Sequence, residues 1–155
     1  MLQRIQSIYL LLAGLALAAL FFFPLVHNVY VNSKPVTIMI TGVYEDVNGQ
    51  LTHTQFFTAL TAATAIAALL PLGVIFGYKN RKQQINLCYV VMLIIIGYSY
   101  WTSQSVKAIV GNADLTLSNF GIGIVLISVS LLLIVLAQKA IQRDEKLVKS
   151  ADRLR

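Results

Sequence analysis

A single cysteine, Cys88, three prolines, two histidines and six acidic residues stand in a chain of 155. One cysteine excludes an intramolecular disulfide and any cysteine-based metal cluster, and leaves Cys88 to pack as a small apolar side chain. Charged residues make up only 12% of the sequence and hydrophobic residues 57%. A soluble domain carries about 25% charged residues, so this balance points to a membrane protein. No zinc-finger, RNA-recognition or helix-turn-helix pattern accompanies the net charge of +6, and no nucleic acid or cofactor is expected. The apolar runs hold no Asp, Glu, Lys, Arg or His in their interiors, and Ser99, Ser128 and Ser130 have no base within sequence reach. No enzyme is expected from such a set.

What is present is four apolar runs, at about 5–26, 56–78, 85–102 and 120–138. Each suffices to cross ~30 Å of hydrocarbon as a helix. The first resembles a signal peptide with Ala16-Leu17-Ala18 as its cleavage site, but the apolar stretch continues through Phe21, Phe22 and Phe23, which favours an uncleaved anchor. Basic residues fix the direction. Ten Lys and Arg lie at the N-terminus, the connection Lys79–Lys82 and the tail, against two, Lys34 and Lys107, on the other side. Positive-inside bias then places both termini in the cytoplasm. Tyr98, Tyr100 and Trp101 fit the outer interface. The expected fold is an all-α integral membrane protein: one domain over 1–155, a four-transmembrane-helix bundle entered and left from the cytoplasm, with helix 4 extended into a tail over 139–155.

The outer loop 28–55 alternates like strand. Val36–Thr41 and Val43-Tyr44 lead to Asn48-Gly49 and Gln50-Leu51-Thr52, the pattern of a small hairpin with a two-residue turn. Val29-Tyr30-Val31 offers a second short strand through a Ser33-Lys34-Pro35 turn. The second outer loop, Ser103–Asn119, carries no such signal, and Ser118 is the candidate N-cap of the fourth helix.

Lipid supplies no hydrophobic drive between helices, so small residues must allow close approach. Ala59, Ala63 and Ala67 recur every four residues, Gly73 and Gly77 form a GxxxG, and Pro71 between them is expected to kink the helix. Gly14 and Ala18 form a weaker pattern on the first span. These residues serve either a homo-oligomer or packing within the chain, and the span count favours the second. Thr58, Thr61 and Thr64 are expected to bond back to their own helix. On the tail, Ala140, Ile141, Leu147, Val148, Ala151 and Leu154 share a stripe, while Glu145 and Lys149 form a favourable i, i+4 pair. Asp144 interrupts that stripe and is expected to pair with Arg81, Lys82 or Lys79. Arg143, Lys146, Leu147, Lys149 and Arg153 are expected to meet lipid headgroups or a protein partner. His27 and His53, with Glu45 and Asp46 between them, either form an outer metal site or are ordinary helix-end side chains; the spacing matches no metal motif, so no metal is expected.

The blocks Gln3-Arg4-Ile5-Gln6-Ser7-Ile8-Tyr9-Leu10-Leu11-Leu12-Ala13, Lys79-Asn80-Arg81-Lys82 and Arg143–Arg155 resemble a family of small bacterial inner-membrane proteins known only as a domain of unknown function. The resemblance covers the whole chain. It implies four spans and assigns no activity or site residue. The layout is also similar to claudin-type proteins, without their paired loop cysteines, an analogy of architecture alone. The function expected from all this is a structural or accessory subunit of an inner-membrane assembly, in contact with membrane lipids and a membrane-protein partner or further copies of itself. The alternative is a small-molecule or lipid-binding, transport-related bundle with a pocket beside Pro71.

Overall fold

The computed structural model describes residues 3–31, 34–47, 50–77, 80–111 and 116–153. The chain runs through α1 (Gln3–Ala18), a 3-10 turn (Ala19–Phe21) and four strands: β1 (Val26–Val31), β2 (Lys34–Met39), β3 (Gly42–Val47) and β4 (Gln50–Phe56). Then come α2 (Thr58–Phe76), α3 (Arg81–Val110), a second 3-10 turn (Leu117–Asn119) and α4 (Ile122–Arg153).

This corrects the expected all-α four-transmembrane-helix bundle with one small hairpin. The segment between the first two helices is a four-stranded antiparallel sheet in the order β1-β2-β3-β4. Three helices, α2, α3 and α4, are long and apolar enough to cross a membrane, whereas the apolar helical stretch Ile5–Phe21 is shorter. Hydropathy counts Phe22–Val26 as a continuation of the first run without fixing its backbone. Pro24 supplies no N–H and turns Phe23 away from helical geometry. Val26 then pairs with Ile38 as strand.

In the sheet, alternate side chains Val29, Val36, Ile38 and Val43 are buried and join one core with Leu20 and Leu25. A register irregularity between Val26 and Val29 carries Asn28 at φ 52°, a conformation asparagine tolerates. The expected short strand Val29–Val31 is the second half of β1; that break hides only its first half from a period-two reading. The expected turn at Asn48-Gly49 and Ser33 of the other expected turn lie outside the described residues.

The sheet gathers three helix ends. Leu25 N donates to Ile38 O (2.9 Å), Phe57 N to Thr41 O (3.0 Å) and the Thr61 hydroxyl to Ile40 O (3.1 Å), which fixes the end of α1 and the start of α2. α4 begins against the same end. Gly121 N donates to Leu25 O (2.8 Å) and Gly123 N to Pro24 O (3.0 Å), while Asn119 Nδ2 reaches Asn28 O (2.9 Å) and His27 O (3.2 Å). Ser118 therefore caps nothing. It sits inside the second 3-10 turn, whose N-cap residue is Thr116, with Asn119 Oδ1 accepting from Thr116 N (2.9 Å). With these ends together, the start of α1 and the end of α4 lie at the opposite pole.

Helix packing uses the small residues unevenly. A Cβ on Gly14 would lie 3.0 Å from Ala68 O and 3.2 Å from Leu72 Cδ2, so α1 and α2 approach closely there. Ala67 is buried, and Ala18 and Ala63 are half-buried against the core. Ala59 and Gly73 face outward, with open space beside Gly73, whereas Gly77 faces Leu87 and Gln84. The five expected positions on α2 do not form one contact face. Pro71 is buried within a continuous α2. The Thr61 and Thr64 hydroxyls bond back to Phe57 O (2.8 Å) and Leu60 O (2.7 Å). Thr64 also shares a 2.7 Å hydrogen bond with Tyr98 OH, joining α2 to α3 inside the core.

Candidate functional site

α3 does not stop at Thr102. It runs to Val110 because Tyr98, Thr102, Val106 and Val110 keep an inward stripe at helical spacing. The segment expected as the start of an outer loop is thus the upper part of a 30-residue helix. Where it diverges from the start of α4 a cleft of about 500 Å³ opens at the sheet end. α3 lines it with Ser99, Thr102, Ser103, Val106 and Lys107. α4 contributes Phe120, Ile124, Ile127 and Ser128, and Leu25 adds to the wall.

The lining is mostly apolar with a few hydroxyls and one charge, the composition of a small-molecule pocket of ordinary size. Two hydroxyls are already engaged: Ser99 donates to Ile96 O (2.7 Å) and Thr102 to Tyr98 O (2.9 Å). Those of Ser103 and Ser128 have no hydrogen bond among the described residues, and both residues are exposed. Ser99, Ser103 and Lys107 follow one another at intervals of four, one line along the helix. That spacing was the signal available in the sequence, but it runs from the third apolar run (Ser99) into the stretch expected as an outer loop (Ser103 and Lys107).

A second polar region lies at the opposite pole. Gln84 (1% exposed), Gln6 (3%), Gln138 and Asp144 (both 7%) are buried there. Gln84 Nε2 donates to Val74 O at 3.2 Å, but the Oε1 atoms of Gln84 and Gln6 and an Nη of Arg81 are buried without a partner. Such groups are ordinarily satisfied by ordered water. Asp144 continues the buried line Ile134, Ala137, Ile141, so its position in the apolar stripe is real. The expected bridge is not formed among the described residues, however, where Lys34–Glu45 (3.0 Å) is the ion pair present. Arg81 is half-buried just after the Asn80 cap and Lys82 is exposed; Lys79 lies outside the described residues.

The remaining expected residues do not converge. His53 stacks on Tyr44 (centroids 4.4 Å) and meets Phe56 edge-on (3.8 Å), while Glu45 is taken by Lys34. His27 lies in β1, and the Asp46 side chain is outside the described residues. Among the described residues no three His, Cys, Asp or Glu side chains come together as metal ligands. On the tail, Arg143 and Lys146 are exposed, as are Leu147 (53%) and Val148 (46%), whereas Ile141 is buried; the expected stripe divides between two faces. The side chains of Lys149 and Arg153 lie outside the described residues.

Residues 2–154 match a family model described as Domain of unknown function (DUF4293). The chain belongs to that family. No curated protein matches it. Membership in DUF4293 therefore accounts for the terminal blocks and leaves the activity to be argued from the cleft.

Proposed function

We propose that this chain is a non-catalytic, multi-pass protein of the bacterial inner membrane and that its working element is the α3–α4 cleft, which holds an apolar ligand. The cleft carries the reading: about 500 Å³ of mostly apolar space, open at the side, whose wall has, among the described residues, two unengaged hydroxyls and no acid, histidine or thiol. Such a wall binds and does not transform. The site lies between α3 and α4 at the sheet end, away from the buried Pro71.

Both termini are read as cytoplasmic. The basic residues collect at the pole holding the start of α1 and the end of α4, and positive-inside bias puts that pole in the cytoplasm. Fusions of a cytoplasm-dependent reporter to each terminus should both be active, and one inserted at residue 112 should be silent. Activity at residue 112 with silent termini would reverse the orientation.

Native mass spectrometry of protein extracted in mild detergent tests the ligand. One retained apolar molecule per chain is expected. Ser128→Trp, which places a ring in the exposed lower end of the cleft, should reduce retention at least about tenfold, the equivalent of ~1.4 kcal/mol. Wild-type protein that never retains a ligand would overturn the reading.

A second reading, an accessory or scaffold subunit that binds a membrane-protein partner or another copy of itself, is favoured by the exposed Leu147 and Val148 near the end of α4. Mild co-purification giving a stoichiometric partner lost on Leu147→Asp/Val148→Asp would support it. A solitary chain would count against it.

A further inference from the structure

Resting on the reading of the α3–α4 cleft as a ligand site, we infer that its occupant is an anionic glycerophospholipid of the sheet-side leaflet. The phosphate sits at Lys107 Nζ and one acyl chain lies along the Ile124–Ile127 wall.

Three observations converge. First, the one charge of the cleft wall sits toward one end, with a hydroxyl next to it and an apolar wall opposite. Lys107 stands toward the sheet end, Ser103 about 6 Å below it along α3, and the apolar side chains Phe120, Ile124 and Ile127 of α4 lie opposite, above Ser128. A glycerophospholipid presents its parts in that order: charged phosphate, ester carbonyl, hydrocarbon. From Ser99 to Lys107 the cleft wall extends about 12 Å along α3, enough for the upper half of an acyl chain.

Second, Lys107 is available. The other lysine on this side, Lys34, is held by Glu45 at 3.0 Å, whereas Lys107 is exposed and forms no ion pair among the described residues. The Ser103 hydroxyl beside it likewise has no hydrogen bond among the described residues and can donate to a carbonyl oxygen.

Third, Lys107 stands on the side that positive-inside bias depletes of cations. The described basic residues at the other pole need no further cause; this one does. It stands at a cleft leading toward the hydrocarbon, where an ammonium attracts a phosphate and falls within reach of an anionic headgroup.

The test uses full-length protein in nanodiscs made either of phosphatidylethanolamine alone or of phosphatidylethanolamine with phosphatidylglycerol, followed by release and native mass spectrometry. Wild-type protein should retain phosphatidylglycerol over phosphatidylethanolamine by about fivefold beyond their ratio in the disc, as expected for one cation near the surface. Lys107→Gln should abolish that preference while a lipid remains bound, and Lys107→Glu should invert it. Lys82→Gln, an exposed cation at the opposite pole, should leave it unchanged.

Preference that survives Lys107→Gln overturns the inference and leaves the cleft reading standing, provided Ser128→Trp still displaces the lipid. Binding indifferent to headgroup in wild-type protein does the same. Retention of no lipid from either disc, in protein that unfolds at the wild-type temperature, defeats the cleft reading itself.

Discussion

Gly121→Ala should destabilise the protein by about 3 kcal/mol, the upper end of what overpacking usually costs. An added Cβ would run into Pro24 O, with Pro24 C at 2.8 Å and Leu25 C at 3.2 Å behind it. All of these are backbone atoms, so no side chain can turn aside. Nor can α4 simply withdraw, because Gly121 N donates to Leu25 O and Gly123 N to Pro24 O across the same contact. Relief therefore means moving the start of α4 away from the end of α1 and breaking both bonds. Thermal unfolding in detergent micelles should show a cooperative transition several degrees lower. Gly73→Ala is the control of opposite sign. Nothing lies within 4 Å of the new methyl group, and alanine is favoured over glycine in a helix interior, so stability should hold or rise by up to about 1 kcal/mol. Equal transitions for wild type and Gly121→Ala would mean that α4 is not seated on Pro24.

The second large effect is expected at Gly42 and is local. This residue opens β3 at φ 154°, where a side chain is strained, and a Cβ would collide with Gln55 O and His53 Nε2 on β4. Gly42→Ala should cost roughly 2–3 kcal/mol, from backbone strain and displacement of the neighbouring strand. Because Thr41 O accepts from Phe57 N at the start of α2, the damage should spread through β3 and β4 and stop where the helices are buried in the micelle. Limited proteolysis is the measurement. Cleavage within residues 42–56 should accelerate while α2, α3 and α4 stay protected. Unchanged cleavage would sink the prediction; uniform loss of protection would show that the sheet and helices unfold as one unit.

Legibility in the sequence divided along physical lines. Three uncharged apolar runs identify α2, α3 and α4 because solvation by lipid is a property of composition, which a sequence displays directly. Backbone conformation at the run ends is not. Phe21–Val26 reads as greasy whether helical or extended, and only pairing with Ile38 and the constraint at Pro24 make it a turn and a strand. Of β1 only Val29–Val31 was legible, because the irregularity at Asn28 disrupts alternation before it. The Val36–Tyr44 alternation survived because β2 and β3 have one buried face. The cleft was hidden for a related reason. Ser103 and Lys107 look like loop polarity until Thr102, Val106 and Val110 are recognised as the buried stripe of the same helix. Gly121 and Gly123 carried no small-xxx-small spacing, since their partner is the backbone at Pro24 and not another helix of small residues.

Residues 119–123, which fasten the beginning of the last helix to residues 24–28, come almost a hundred positions after their receptor. During synthesis the face of α1 against which α4 packs has to wait unfilled while everything between is made. A ribosome that halts before residue 120 would therefore leave a stub with an unsatisfied face in the bilayer. A membrane protease or holding factor would have a clear means of telling the truncated product from the finished one.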